Sequence, residues 1–416
     1  MTQLDAPLRA EDRIAETPEP FGPAAALTDP RIALTLDELS SCQGLAGKHI
    51  TFSLTLACPL KCQHCIVDAG PDKGHTTMPL AVAERYAGQM ADLAAYGIEG
   101  ICFTGGEPTL ARRQMQVMSQ AAADAGLETA MVTAAQWAAT PKLAARTVAD
   151  FPAIACWDVS FDLFHLDWVG FEHIRNAHDA ILAAGRRFTL RFTYNDPPSE
   201  TERALMARLG ELEGAKIAAQ RVRAVGRGED MGIAASDKYN PWVKPCLTQG
   251  MVVRYDGSIS PCCLNLVESR RHPFQLGQAT ARELVEIHHD YMRQPLLQLI
   301  RALGFGQLYL WLEEAGLTER LPEQLPDEAC ELCTLILQDR ELADFLKAKA
   351  EEPANRLRIA VIAARSLGED QMLRSLLEDG SVTLAPQERR ELTQFLSRET
   401  TTRATATATS GATRGE

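Results

Sequence analysis

The sequence predicts an α/β fold: a partial (β/α)6 barrel of TIM type, then a small α+β domain and a helical C-terminal segment. Three observations carry this. Between about 48 and 230, strand-like and helix-like stretches alternate as β/α units. Several of the helical stretches close on a glycine, Gly97, Gly126 or Gly185, the residue that best tolerates the left-handed C-terminal cap. The chain has 416 residues, 46% hydrophobic and 23% charged, enough to bury the cores of two to three domains and unlike a disordered or fibrous composition.

The elements follow in order. Ile50, Phe52, Leu54 and Leu56 alternate with Thr51, Ser53 and Thr55, which predicts a strand with one apolar and one small polar face. Residues 80–96 place Val82, Tyr86, Met90 and Leu93 on one helical face, with Gly97 as the cap. The unit recurs as strand 101–104 with helix 111–125, strand 129–133 with helix 141–151, and strand 154–161 with helix 171–184. Strand 188–194, helix 199–213 and strand 217–225 complete six strands. Right-handed crossovers force these into a parallel sheet, open and doubly wound or curled into a partial barrel, and in both cases ligands collect at the C-terminal strand ends.

Around this barrel (46–235) lie an acidic, loosely ordered leader (1–45), an α+β domain (236–340), a helical segment (341–398) and a disordered tail (399–416). The leader sets eight acidic residues against three basic ones among scattered prolines, and the tail, ending TATATSGATRGE, lacks large apolar side chains. In the helical segment Leu357, Ile359, Val361 and Ile362 form a packing pattern.

Composition also excludes classes of function. Lysine and arginine number 42 against 55 acidic residues, a net charge of −13, the wrong sign for a sequence-blind binder of nucleic acid or anionic membrane. No apolar run approaches the roughly 18 residues that span a bilayer, and the N-terminus has no export signal, so the expected location is cytoplasmic. In that reducing compartment the eleven cysteines point to metal or redox chemistry rather than disulfides.

The first predicted strand runs into Cys58-Pro-Leu-Lys-Cys62-Gln-His-Cys65. Three soft thiolates in one loop leave one metal position without a protein ligand. In a cubane iron-sulfur cluster that open iron binds a substrate or cofactor; in a zinc site it takes water or a histidine, His64 or His75. One β/α unit later comes Thr104-Gly105-Gly106-Glu107-Pro108, in which two glycines permit a close backbone approach and Glu107 offers a carboxylate to an ammonium.

The cysteine loop resembles the CxxxCxxC signature of the radical S-adenosylmethionine (SAM) superfamily, with His64 at the aromatic position before the third cysteine. Thr104 to Pro108 resembles its GGEP motif, which engages the SAM amino group. Ser160-Phe161-Asp162 resembles the family's S-x-D at the fourth strand end, Arg191 on the fifth strand is placed to pair with the SAM carboxylate, and Val225-Gly226-Arg227-Gly228 resembles the glycine-containing stretch near adenine. His165 is placed like a substrate-side group.

The second half carries Cys246, Cys262, Cys263, Cys330 and Cys333. The stretch from Cys246 to Cys262 is predicted to form a hairpin turning at Asp256-Gly257 that brings the two thiols to one end of a small sheet. Cys330-Glu-Leu-Cys333 is a pair pre-spaced for one metal centre. This arrangement resembles the auxiliary-cluster domain called SPASM, or its shorter form, twitch. Five cysteines cannot fill two four-ligand sites, so one auxiliary cluster is expected, held by Cys246, Cys262, Cys330 and Cys333 with Cys263 as a spare; a four-cysteine zinc site is the alternative. Cys42, Cys102 and Cys156 have no metal-like spacing.

The resemblance implies an enzyme that reductively cleaves SAM at a 4Fe-4S cluster to a 5′-deoxyadenosyl radical, which abstracts hydrogen from substrate, while a second, auxiliary 4Fe-4S cluster takes part in electron transfer. It implies a peptide or protein substrate, a flavodoxin- or ferredoxin-type electron donor, and room for a separate peptide-recognition protein. The alternatives are a small-molecule dehydrogenase of antibiotic or aminoglycoside biosynthesis, or a non-catalytic iron-sulfur or zinc-binding protein. No catalytic side chain is named by the sequence.

Overall fold

A computed structural model describes residues 46–233, 242, 246, 250–262, 273–274, 276–326, 328–380, 382 and 384–397. The leader, Cys42, Cys263 and the tail lie outside the described residues. The strands are β1 (His49–Ser53), β2 (Gly100–Thr104), β3 (Glu128–Thr133), β4 (Cys156–Ser160), β5 (Arg187–Tyr194), β6 (Lys216–Arg221), β7 (Met251–Arg254) and β8 (Ile259–Ser260). They form one sheet in the order β6-β5-β4-β3-β2-β1-β7-β8.

Strand order decides between the two architectures left open above. The first six strands are parallel and strictly sequential, with no reversal point. Every right-handed crossover therefore steps the same way and lays its helix on the same face, which is barrel winding and not doubly wound winding. The arc stays open, with β6 and β8 as its edges.

Strand alternation sorts the side chains. Ile50, Phe52, Ile101, Phe103, Met131, Trp157, Val159, Leu190 and Phe192 are fully buried in one continuous core. The covering helices are α1 (Leu80–Ala87), α2 (Met90–Tyr96), α3 (Arg112–Asp124), α4 (Pro141–Asp150), α5 (Phe171–Ala183) and α6 (Glu200–Leu209). Burial of each such side chain contributes roughly 1.5–3 kcal/mol. Residues of the opposite register, Thr51, Ser53, Thr104, Asp158, Ser160 and Arg191, give the other face its small and polar character.

Three expectations are corrected in detail. Helix 80–96 breaks at Gly88-Gln89 into α1 and α2, though Gly97 caps α2 with φ 108° as expected. Strand β1 stops at Ser53; beyond it Leu54, Thr55 and Ala57 still bond to residues 104–107, while Leu56 and Ala57 also pair with the cysteine loop's return at Gly70. The predicted hairpin exists and turns at Asp256-Gly257, but it is not part of a separate small sheet: β7 pairs in parallel with β1, extending the barrel sheet.

The rest is helical: α7 (Leu284–Met292), α8 (Pro295–Leu303), α9 (Gly306–Glu314), α10 (Ala329–Gln338), α11 (Arg340–Glu351), α12 (Pro353–Ser366) and α13 (Gln371–Glu378). Of the expected packing residues, Ile359 is buried and Leu357, Val361 and Ile362 are half-buried; the buried face where α12 packs on α8 is completed by Ala360 and Ala363, which the pattern did not name. Buried Arg301 of α8 grips Glu369 with two bonds of 2.5 Å, so a charge that would be costly alone is paired and bidentate.

Candidate functional site

The cysteine loop occupies the C-terminal edge of the sheet, beyond β1. Its neck is closed by Cys58 N donating to Gly70 O at 3.0 Å, and its tip by Cys65 N to Cys62 O at 3.2 Å. Cys62 is buried, Cys58 and Cys65 are half-buried, and all three thiols are free. Burial pushes the Cys58 thiol up to about 12, and the charges of Glu107, Cys62 and Cys65 push the same way. Burial makes Cys58 resist ionisation, so a neighbouring cation would be needed to hold it as the thiolate, and three soft thiolates in one loop suit an iron-sulfur cluster.

Arg227 pins this loop. Its Nε donates to Cys62 O at 2.9 Å, Nη1 to Asp68 Oδ1 at 2.8 Å and Nη2 to Ala69 O at 2.9 Å, while its backbone N–H donates to Cys65 O at 3.0 Å. Gly226, at φ 59°, passes so close that a Cβ there would stand 2.5 Å from Ile66 O. The sequence marked this stretch only as glycine-containing; four contacts to one loop are a tertiary fact that no local pattern announces.

The Thr104–Pro108 turn lies alongside. A Cβ on Gly105 would stand 2.2 Å from Thr55 O, and one on Gly106 2.3 Å from Ala57 O. The close approach that these glycines permit is thus to the chain's own neck, sealed by Gly106 N to Thr55 O at 2.6 Å and Glu107 N to Ala57 O at 2.8 Å. Glu107 is fully buried, accepting from Thr109 N and Oγ1, Thr133 Oγ1 and Ala134 N. Burial raises its pKa, against the lowering effect of these donors. Pro108 opens the following 3-10 turn, Pro108–Ala111.

At the end of β4, Asp162 is buried and held by Phe164 N at 3.0 Å, Thr193 N at 3.2 Å and His165 Nδ1 at 2.7 Å. Burial disfavours charge on His165, but Asp162 outweighs it and, with a hydrogen bond to Cys62, holds its pKa up at about 10. His64 lies 3.4 Å from Asp162 and stacks on Phe164 at 4.6 Å between centroids, its pKa pushed down to about 4 chiefly by burial. Among the described residues, His64, Asp162 and His165 are the one set whose ligand atoms all lie within 4.8 Å of one another. Asp162 already spends its oxygens on the donors just named, so the set works as a hydrogen-bond network joining β4 to the cysteine loop. Ser160 is half-buried at the strand end, and Arg191 pairs with Asp158 across the β4–β5 register.

The second cysteine group is assembled from three distant segments. Cys333 lies close enough to Cys246 and Cys330 for their charges to raise its pKa further, after burial, the main cause. Cys262 and Cys330 pack on Val225, and Cys246 N donates to Ile300 O at 3.1 Å. The CxxC pair sits in the first two turns of α10.

Residues 52–152, about a quarter of the chain, match the family model of the Radical SAM superfamily. A 92-residue stretch is 36% identical to the PqqA peptide cyclase of Methylobacterium nodulans, covering 22% of this chain and 23% of that protein; the match thus spans about a quarter of the relative's length. Among solved structures, native anSMEcpe with bound AdoMet aligns over 76% of this chain and 98% of its own at 13% identity and a TM-score of 0.44. BtrN in complex with AdoMet and 2-DOIA aligns over 63% and 89%, also at 13% identity, with a TM-score of 0.38. Neither likeness carries chemistry. Among the described residues no helix is long and apolar enough to cross a membrane.

Proposed function

We propose that the chain is a SAM-cleaving enzyme that holds one 4Fe-4S cluster on Cys58, Cys62 and Cys65 and an auxiliary 4Fe-4S cluster on Cys246, Cys262, Cys330 and Cys333, and that it modifies a peptide or protein. The observation that carries it is the three-thiol loop at the C-terminal sheet edge, closed by the Gly105-Gly106 turn. Cys58, Cys62 and Cys65 would hold a cluster there, and it would supply the electron for reductive cleavage of SAM. The chain's own groups do the rest.

Arg227 and the neck bonds of Gly106 and Glu107 hold the loop rigid, so that the thiols need not be ordered at each turnover. Glu107 orients the turn through its bonds to Thr109 and Thr133, and the SAM contacts are assigned to Thr104, Gly105, Gly106, Glu107 and Pro108 on this turn, with Ser160, Asp162 and Arg191 at the next strand ends. His64, neutral at physiological pH, presents an apolar face beside Phe164 that excludes water. A fully ligated auxiliary site has no vacant metal position, which suits electron transfer rather than substrate binding.

The peptide substrate is supported by the peptide cyclase among the relatives, and a flavodoxin- or ferredoxin-type protein would supply electrons, with a separate peptide-recognition protein as a further partner. The test is direct. Protein reconstituted anaerobically with iron and sulfide, reduced and given SAM should form 5′-deoxyadenosine and methionine; formation of neither would leave a metal-binding protein without this catalysis.

A further inference from the structure

One short segment touches both cysteine groups. Leaving β6, Arg221 pairs with Glu328, just before α10. Two residues on, Arg223 Nη1 donates to Cys330 Sγ at 3.1 Å, and Ala224 N donates to Glu331 inside the CxxC motif. Val225 is buried between Ile66 of the first loop and Cys262 and Cys330 of the second group. Gly226 and Arg227 then make the contacts to residues 62–69 described above. Within seven residues the backbone passes from a sulfur of one group to the carbonyls that shape the other.

We propose that residues 221–227 are a strap that couples the two metal sites, with Arg223 and Arg227 as its positioning residues. The inference rests on the two-site reading above. Its physical basis is that Arg223 and Arg227 are four residues apart on an irregular segment whose backbone N–H groups are spent on both partners, Ala224 on Glu331 and Arg227 on Cys65. Filling the auxiliary site fixes Cys330 and with it Arg223; this holds Arg227 in its clamp, and less order remains to be gained when the first loop binds its metal. Such coupling is reciprocal: whatever one site gains from the other it returns.

The experiment is a chelator challenge of anaerobically reconstituted protein, with iron released from the Cys58/Cys62/Cys65 site followed over time. A Cys246/Cys330/Cys333→Ala variant, which leaves every contact of the first loop in place, should lose first-site iron about fivefold faster or more, at the low end of usual site–site couplings. Arg227→Ala should lose it about 10- to 100-fold faster, the usual scale for groups that hold ligands in place, with Arg227→Lys giving only partial rescue because a single ammonium cannot span three acceptors. Arg223→Gln, a smaller change, checks the strap without emptying a site and should also quicken first-site release.

The signature of coupling is non-additivity: adding the three auxiliary substitutions to Arg227→Ala should change the release rate no further. First-site release that is identical with and without the auxiliary cysteines overturns the strap while leaving both clusters standing. A wild-type protein that binds no cysteine-dependent iron overturns the two-site reading, and the strap with it.

Discussion

The two cysteine groups differ in how they are built. The first is local: Cys58, Cys62 and Cys65 lie within eight residues, on a loop whose neck is sealed by the adjacent strand's glycines. The second is gathered from residues 246, 262, 330 and 333, and its placement depends on β7 joining β1 and on α10 docking beside β6. A local site takes all its thiols from one loop, which Arg227 then steadies from outside. A gathered site stands or falls with the tertiary structure, and this difference sets what each perturbation should do.

The largest expected effect separates the two groups outright. Replacing Cys58, Cys62 and Cys65 with alanine should abolish SAM cleavage and remove about half of the bound iron, since clusters of this type depend on their thiolates. Replacing Cys246, Cys330 and Cys333 should leave SAM cleavage measurable and stop the reaction on substrate. Iron analysis together with 5′-deoxyadenosine quantification reads both, and equal loss of cleavage in the two variants would erase the distinction.

Next come changes to the scaffold that both groups share. Trp157→Ala opens a cavity beneath β4 and should cost about 3–5 kcal/mol in urea unfolding. Gly105→Ala drives a Cβ into the Thr55 carbonyl at a φ of 144° and should cost about 1–3 kcal/mol, with the damage centred on the first loop. If Gly105→Ala weakened iron retention at the auxiliary group first, the first group would not be the local one.

The most gradual effect concerns pH in the helical half. His288, buried against Tyr96 and Tyr291, has its pKa pushed down to about 4, by burial first and then by the charge of Arg301. Between its ordinary value of 6.5 and about 4 the unfolded chain binds a proton that the folded one refuses. Stability is therefore intact above pH 6.5 and falls as pH drops through that window, by up to about 1.4 kcal/mol per pH unit. His288→Leu should flatten this slope in metal-free protein, measured by urea unfolding between pH 4 and 7.

What the sequence made legible follows the same divide. Alternation of Ile50, Phe52 and Leu54 with threonine and serine, the spacing of Cys58, Cys62 and Cys65, and the turn at Asp256-Gly257 are short-range patterns, and each appears in the fold. Long-range facts were silent. Nothing near Met251 indicates that β7 will pair with β1 some 200 residues earlier, and nothing in Gly105-Gly106 says that the backbone they admit is Thr55 to Ala57. Glu107 resembles a free carboxylate until Thr133, 26 residues away, is seen to donate to it. Arg227 stood out only as part of a glycine-containing stretch, yet its side chain and backbone donate to Cys62, Cys65, Asp68 and Ala69 of the cysteine loop.

The central claim is one open metal site and one closed one. Electron paramagnetic resonance of the reduced, reconstituted protein, recorded before and after adding SAM, tests it most directly. Two cluster signals are expected, of which only the one lost in the Cys58/Cys62/Cys65→Ala variant changes when SAM binds. A spectrum in which SAM alters neither signal, or alters the one that depends on Cys330 and Cys333, would contradict it.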